Sequence, residues 1–327
     1  MPLSKSIKLL LTGLVPAFVF GSTEYHSLIL KTDGSLHAFG MNNKGQLGDG
    51  TTTDRSTPTE IFSSGIAQVS TGSQHSLILK TDGSVHAFGW NNYGQLGDGT
   101  TTDRSTPIEI FSSGVAQIAA GGYHSLVVKT DGSLHAFGRN TSGQLGDGTT
   151  TDRNTSTEIL ASGVAQVSAG TEFSLILKTD GSVHASGSNN SGQLGNGNTG
   201  YNRNTHTEIL SSGAAQIAAG VHSLILKTDG SLLTFGSNSN GQLGDGTYTN
   251  RDTPTQILSS GVAQIAAGGY HSLIVKTNGS LHAFGSNAFN QLGDGTTTNR
   301  NTHTEILSSG VNLLMNQPFH PNLIHIH

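Results

Sequence analysis

The segment His26-Ser27-Leu28 returns at His75, His124, His222 and His271, with Phe173-Ser174-Leu175 in the remaining slot, and every step is 49 residues. Gly-Gln-Leu-Gly-Asp-Gly, beginning at Gly45, recurs at Gly94, Gly143 and Gly241, with altered copies beginning at Gly192 and Asn290. A fixed period of this length marks an array of one supersecondary unit, in which each copy buries its apolar face against the next. Six units account for nearly all of the 327 residues. A length that would otherwise allow two domains therefore reads as one array.

Within a unit, punctuation decides the secondary structure. Val115–Ala120 reads as a short strand of small residues, and His124–Lys129, apolar and β-branched, as a second. Thr130-Asp131-Gly132-Ser133 is a hairpin turn, because Asp-Gly between two apolar runs supplies the positive φ that tight hairpins need. Leu134–Phe137 is the third strand, residues 138–154 a long polar loop, and Thr155–Ile159 a weaker fourth strand, an edge by its polarity. Gly and Pro arrive too often for helices. Four antiparallel strands repeated six times predict an all-β chain, a β-propeller of six four-stranded blades of about 49 residues. The alanine-rich first strand suits the innermost position, where blades converge. A parallel β-helix, the competing repeat fold, has much shorter coils and needs no Asp-Gly hairpins.

The period is close to that of kelch propellers, but the glycine doublet of kelch units occurs only at Gly121-Gly122 and Gly268-Gly269. His124-Ser125, Asp131-Gly132, Phe137-Gly138, Asn140 and Gly143-Gln144-Leu145-Gly146 instead resemble the regulator of chromosome condensation repeat, and the match extends over residues 22–310. That resemblance implies a propeller serving as an interaction platform. The family's founding member is an exchange factor for a small GTPase, and one bacterial relative inhibits β-lactamase. Two departures matter: the family usually has seven blades where six full units are present, and no unit here carries an insertion longer than one residue, near Gly200.

Composition narrows the chemistry. The net charge is −5 and no lysine–arginine run exists, so nucleic acid is not an expected partner. Absence of cysteine removes disulfides and thiolate chemistry, and no apolar stretch of about 18 residues predicts a membrane span. Ten of the fifteen histidines occupy the His-Ser slot or the third-strand slot at His37, His86, His135, His184 and His282. Phe173 and Leu233 break these rings, so the histidines read as buried groups bonded to neighbouring backbone rather than metal ligands. His320, His325 and His327 give a weak metal signal. The loop around Asp49 and Asp54 lacks the ligand spacing of a calcium loop; its Asp and Gly read as turn formers, with Asp54 and Arg55 a solvated pair. Because Ser, His and Asp recur in every unit as scaffold, no catalytic residue is assigned. No metal, cofactor or enzymatic activity is expected.

Positions that differ among six otherwise similar copies are those the fold leaves free. Two stand out. The start of the long loop carries Met41 and Lys44, Trp90 and Tyr93, Arg139, and Phe289. The residue before the His-Ser slot is Tyr25, Gln74, Tyr123, Glu172, Val221 or Tyr270. Strand alternation sends both positions to one face of the disc and the Asp-Gly hairpins to the other. Met41, Lys44, Trp90, Tyr93, Arg139 and Phe289 are expected at least half exposed on one rim, with Tyr25, Tyr123 and Tyr270 further in. Large residues fall in units six, one, two and three, and such aromatic and arginine clusters are typical of binding hot spots.

The expected function is protein–protein interaction through that face by a monomeric scaffold. GTPase exchange and glycan binding stand as alternatives. Residues 1–22 have two readings. Lys5 and Lys8 before the apolar run 9–20 fit a secretory signal; alternatively, residues 11–22 are a degenerate first strand. A secreted or periplasmic location and a cytoplasmic one both stay open. Residues 23–315 form the propeller domain, and 316–327 a C-terminal tail. Val311–Met315 begins a seventh first strand, expected to close the ring against blade one.

Overall fold

A computed structural model describes residues 18–20, 25–31 and 33–311. They form six four-stranded antiparallel sheets in a ring, a six-bladed β-propeller. The blades span residues 18–62, 66–111, 115–160, 164–210, 214–258 and 262–307, and strand order within each follows the chain. In blade three the strands are Val115–Ala120, His124–Lys129, Leu134–Gly138 and Arg153–Leu160. The fourth strand is longer than its polarity implies, because Arg153 still pairs with Gly138 across a bulge.

The core lies between blades. Leu77, Leu79, Val85 and Leu96 of blade two pack with Val115, Ile118, Val127 and Phe137 of blade three, and the next junctions repeat this arrangement. The long loops of blades one to five also reach the following blade: a Cβ on Gly97, at φ +71°, would lie 2.8 Å from the Phe137 ring. Only glycine fits there, on both backbone and contact grounds. In blade four Ser186 stands where the others carry Phe, and the His206 ring fills the space against Gly146 instead.

Polar seams run parallel to these clusters. Gln117 of blade three donates from Nε2 to the carbonyl of Val167 (3.3 Å) and accepts the Val167 N–H at Oε1 (3.0 Å). The His-Ser slot makes a second seam: Nε2 of His75 lies 3.0 Å from Ser125 Oγ, and His26, His124 and His222 meet Ser76, Ser174 and Ser272 in the same way. These histidines therefore bond a serine of the next blade, not the neighbouring backbone that the sequence led us to expect. The two partners lie about a whole repeat apart in sequence, so the contact exists only once blades stack. Ser125 Oγ donates to the Gln95 carbonyl (2.8 Å), so the imidazole donates through Nε2.

The first strand of blade one, Phe18–Phe20, pairs Val19 with Ile29 and Phe20 with Leu28, one residue out of register relative to the other blades. At the far flank of blade six, Val311 donates its N–H to Gly279 O (3.2 Å), as Val262 does to Gly230, and packs on Val275 and Leu281. The signal reading of residues 1–22, apart from the strand Phe18–Phe20, and ring closure by Val311–Met315, apart from Val311, fall outside the described residues.

Candidate functional site

The two variable positions are neighbours in space. In each of five blades the first residue of the long loop donates its N–H to the carbonyl of the residue before the His-Ser slot: Trp90 to Gln74 (2.8 Å), Arg139 to Tyr123 (2.9 Å), Met41 to Tyr25, Ser188 to Glu172 and Ser286 to Tyr270. The turn depends on glycine: a Cβ on Gly89 (φ +107°) would lie 2.5 Å from the Gln74 carbonyl oxygen. Behind it the loop is tied to its own asparagine. Asn91, fully buried, accepts the Leu96 N–H (2.9 Å) and donates to Asp98 (3.0 Å), while Gln95 accepts the Tyr93 N–H (3.0 Å). Tyr93 is thus held on a fixed platform.

From these platforms the side chains meet across blade boundaries. The rings of Trp90, Tyr93 and Tyr123 pack edge to face, with centroids 5.4 Å apart for Trp90–Tyr93, 5.3 Å for Trp90–Tyr123 and 5.9 Å for Tyr93–Tyr123. Two cations flank them. Lys44 Nζ lies 5.9 Å from the Trp90 ring and 3.4 Å from Asp103. Arg139 Cζ lies 5.4 Å from Tyr93 and 5.7 Å from Tyr123, with its Nη1 2.8 Å from Glu172 Oε1. Gln74 Nε2 lies 3.9 Å from Met41 Sδ. One continuous assembly therefore runs from blade one to blade four, and each cation–π pair adds about 0.5–1 kcal/mol where partly exposed.

This corrects the expected exposure. Phe289 is 57% exposed, but Met41, Lys44, Trp90, Tyr93 and Arg139 are half-buried, because they cover one another. Tyr123 is half-buried for the same reason, whereas Tyr25 and Tyr270 are 42% and 44% exposed. Phe289 and Tyr270 belong to blade six, and the assembly around Trp90 is built from blades one to four. Glu172 and Gln74, recognised only as variable positions, prove to be its polar partners. Trp90 Nε1 is buried with no hydrogen-bond partner.

The titratable groups of the scaffold are tuned for stability. Burial pushes His26 down to about 4 and His75, His124 and His222 down to about 3, so none carries a proton at neutral pH. The loop carboxylates behave oppositely. Burial raises Asp98, but hydrogen bonds from Thr100, Arg104 and Asn91 outweigh it and leave the carboxyl below its usual range. Arg55 pairs with Asp49, not with Asp54 as its sequence neighbour suggested; Asp54 instead accepts the Asn42 N–H at 2.7 Å. Among the described residues no three potential metal ligands converge.

Comparison with known proteins places this architecture. The repeat model described as "Regulator of chromosome condensation (RCC1) repeat" matches residues 33–79, 82–128, 131–177 and 229–275, and a second RCC1 repeat model matches 66–95, 115–144, 164–193, 215–242 and 262–291. No curated protein sequence matches the chain. Among solved structures, human WBSCR16 aligns with a TM-score of 0.76 at 23% identity, over 86% of this chain and 79% of its own. Yeast RCC1 (Prp20), solved bound to Kap60, aligns with a TM-score of 0.77 at 23% identity, over 89% of this chain and 75% of its own. Prp20p of Saccharomyces cerevisiae, in a structure described together with its binding properties to Gsp1p and histones, gives 0.75 at 23% identity. With repeat-by-repeat matches over more than half its length, the chain belongs to the regulator of chromosome condensation (RCC1) repeat family.

Proposed function

We propose that this propeller is a protein-binding scaffold whose partner docks on the face that carries Trp90. One observation carries the reading: in blades one to four, positions at which the repeats differ meet in an assembly of three aromatic rings, Lys44 and Arg139, held by loops whose own backbone is fixed. Trp, Tyr and Arg are the residues that most often dominate interface energies, and a preset platform spares the entropy of ordering them on binding. The fold neighbours lend support by their descriptions, one being yeast RCC1 with Kap60 bound.

The test is affinity capture with wild type and Trp90→Ala, followed by measurement of Kd for the captured protein. Truncating a central anchor is expected to weaken binding by about 2 kcal/mol, some thirtyfold. Ser162→Ala, an exposed position on the opposite face, is expected to leave Kd unchanged. Equal affinity of Trp90→Ala and wild type would remove the reading, and selective retention on a glycan array would replace it.

A further inference from the structure

Five of the six long loops contain the same ion pair. In blade three, Asp147 accepts Asn140 Nδ2 (3.0 Å) and the Thr149 N–H (2.9 Å) at Oδ1, and its Oδ2 takes Nε and Nη2 of Arg153 at 2.8 and 2.7 Å. Blades one, two, five and six repeat the pair, and the five carboxylate side chains are only 2 to 6% exposed. Side-on contact with a guanidinium is the arrangement that suits a carboxylate.

Blade four departs from this. Asn196 replaces the aspartate, and its Oδ1 still accepts Asn189 Nδ2 (3.1 Å) and the Asn198 N–H (3.2 Å). The remaining position, an arginine-facing oxygen in the siblings, is an amide Nδ2 that is buried without a partner. Arg203 opens the fourth strand in the sibling register, pairing with Gly187 as Arg153 pairs with Gly138. Among the described residues it has no carboxylate partner, although every sibling arginine has one. The loop from 188 to 203 holds no acidic residue at all, since Asn202 also replaces the second aspartate, Asp152, of blade three. Asp252 of the next blade accepts the Gly197 N–H through its carbonyl oxygen, and among the described residues it makes no ion pair. Asn196 Nδ2, buried, and Arg203 are thus both left without the acceptor that a sibling carboxylate supplies, and an unpaired buried donor is costly.

We propose that the blade-four loop is a carboxylate site, in which an acidic side chain of the protein partner bonds Arg203 and Asn196 Nδ2 and so supplies the charge that the loop's own aspartate supplies elsewhere. The site shares the face of the Trp90 assembly, because Ser188, which opens this loop, is bonded to Glu172, the partner of Arg139. The identity of the occupant therefore rests on the reading of that face. The loop is one residue longer near Gly200, and residues 197–202 beside the site are exposed, Tyr201 at 68%.

The probe is a fluorescein-labelled hexaglutamate peptide, followed by anisotropy at low salt. Wild type should bind it. Asn196→Asp supplies an internal carboxylate, so peptide binding should fall at least tenfold while Tm rises by about 2 °C. Arg203→Gln should lose binding without the gain in Tm. Asn190→Asp, exposed in the same loop, makes the same charge change outside the site and should retain affinity within about twofold. Unchanged binding by Asn196→Asp, an equal loss in Asn190→Asp, or stronger competition by inorganic phosphate than by acetate would each overturn the site. Trp90→Ala should keep the peptide. If Trp90→Ala also keeps the protein partner, the docking face is misassigned while the carboxylate site stands.

Discussion

At the scale of single residues, the histidine seam makes the fold sensitive to acid. His26, His75, His124 and His222 have folded values of about 3 to 4 against about 6.5 when unfolded. The unfolded chain therefore binds protons first, and the stabilising effect of the neutral rings is lost as pH falls from about 6.5 toward 4. Four such groups together cost about 5 kcal/mol per pH unit in that window, comparable with the whole stability of an ordinary domain. Acid unfolding is expected well above pH 4, before the loop carboxylates protonate. Phe173 shows that the slot accepts an apolar ring of similar size, buried against Leu175. His75→Phe should therefore move the acid midpoint downward in a circular-dichroism titration, and an unmoved midpoint would count against the seam as the acid-sensitive element.

At the scale of elements, the long loop is held by hydrogen bonds within itself and by contact with the next blade, despite its polar composition. It closes on buried Asn91 and Asp98 and presses Gly97 onto the next blade's Phe137. Gly97→Ala should lower stability by about 2–4 kcal/mol in urea denaturation, since it combines an unfavourable positive φ with a clash against a fully buried ring. Gly148→Ala makes a matched control: it has a similar φ of +82° and open space around it, so it carries the backbone cost alone. The difference between the two variants measures the contact. Polar loop composition conceals this rigidity, because it comes from hydrogen bonds inside the loop and not from apolar burial.

At the scale of the molecule, five inter-blade junctions carry the core, and the outer flank of blade six depends on Val311. Leu273 is half-buried there, whereas Leu126, Leu175 and Leu224 at the equivalent position are fully buried, and Gln264 Oε1 lacks the inter-blade partner that Gln117 has. Removing residues 311–327 should expose Leu273, Val275 and Leu281, lower the melting temperature and cause concentration-dependent association in sedimentation, because an uncovered sheet face invites other chains. A truncated chain as stable and monomeric as the full one would show that this flank needs no cover.

The sequence by itself determined the blades, since the 49-residue period is read by comparing units, and the Asp-Gly or Asn-Gly hairpin and the Gly punctuation lie within each unit. The innermost place of the Val115–Ala120 segment followed from its small residues, and the shared face of the long loops from strand alternation. It also picked the variable positions. What the tertiary structure alone decided is how units meet: histidine with the next blade's serine, Gln117 with Val167, Arg55 with Asp49 and not Asp54, His206 filling the room left by Ser186, and the half-burial of Trp90, Tyr93 and Arg139 under one another. Partners from neighbouring blades lie tens of residues apart in sequence, and nothing local signals their contact. Loop partners such as Asp49 and Arg55 are six apart, but their pairing depends on how the loop folds onto Asn42. Periodicity can therefore report which residues the fold leaves free, and only packing reports what those residues touch.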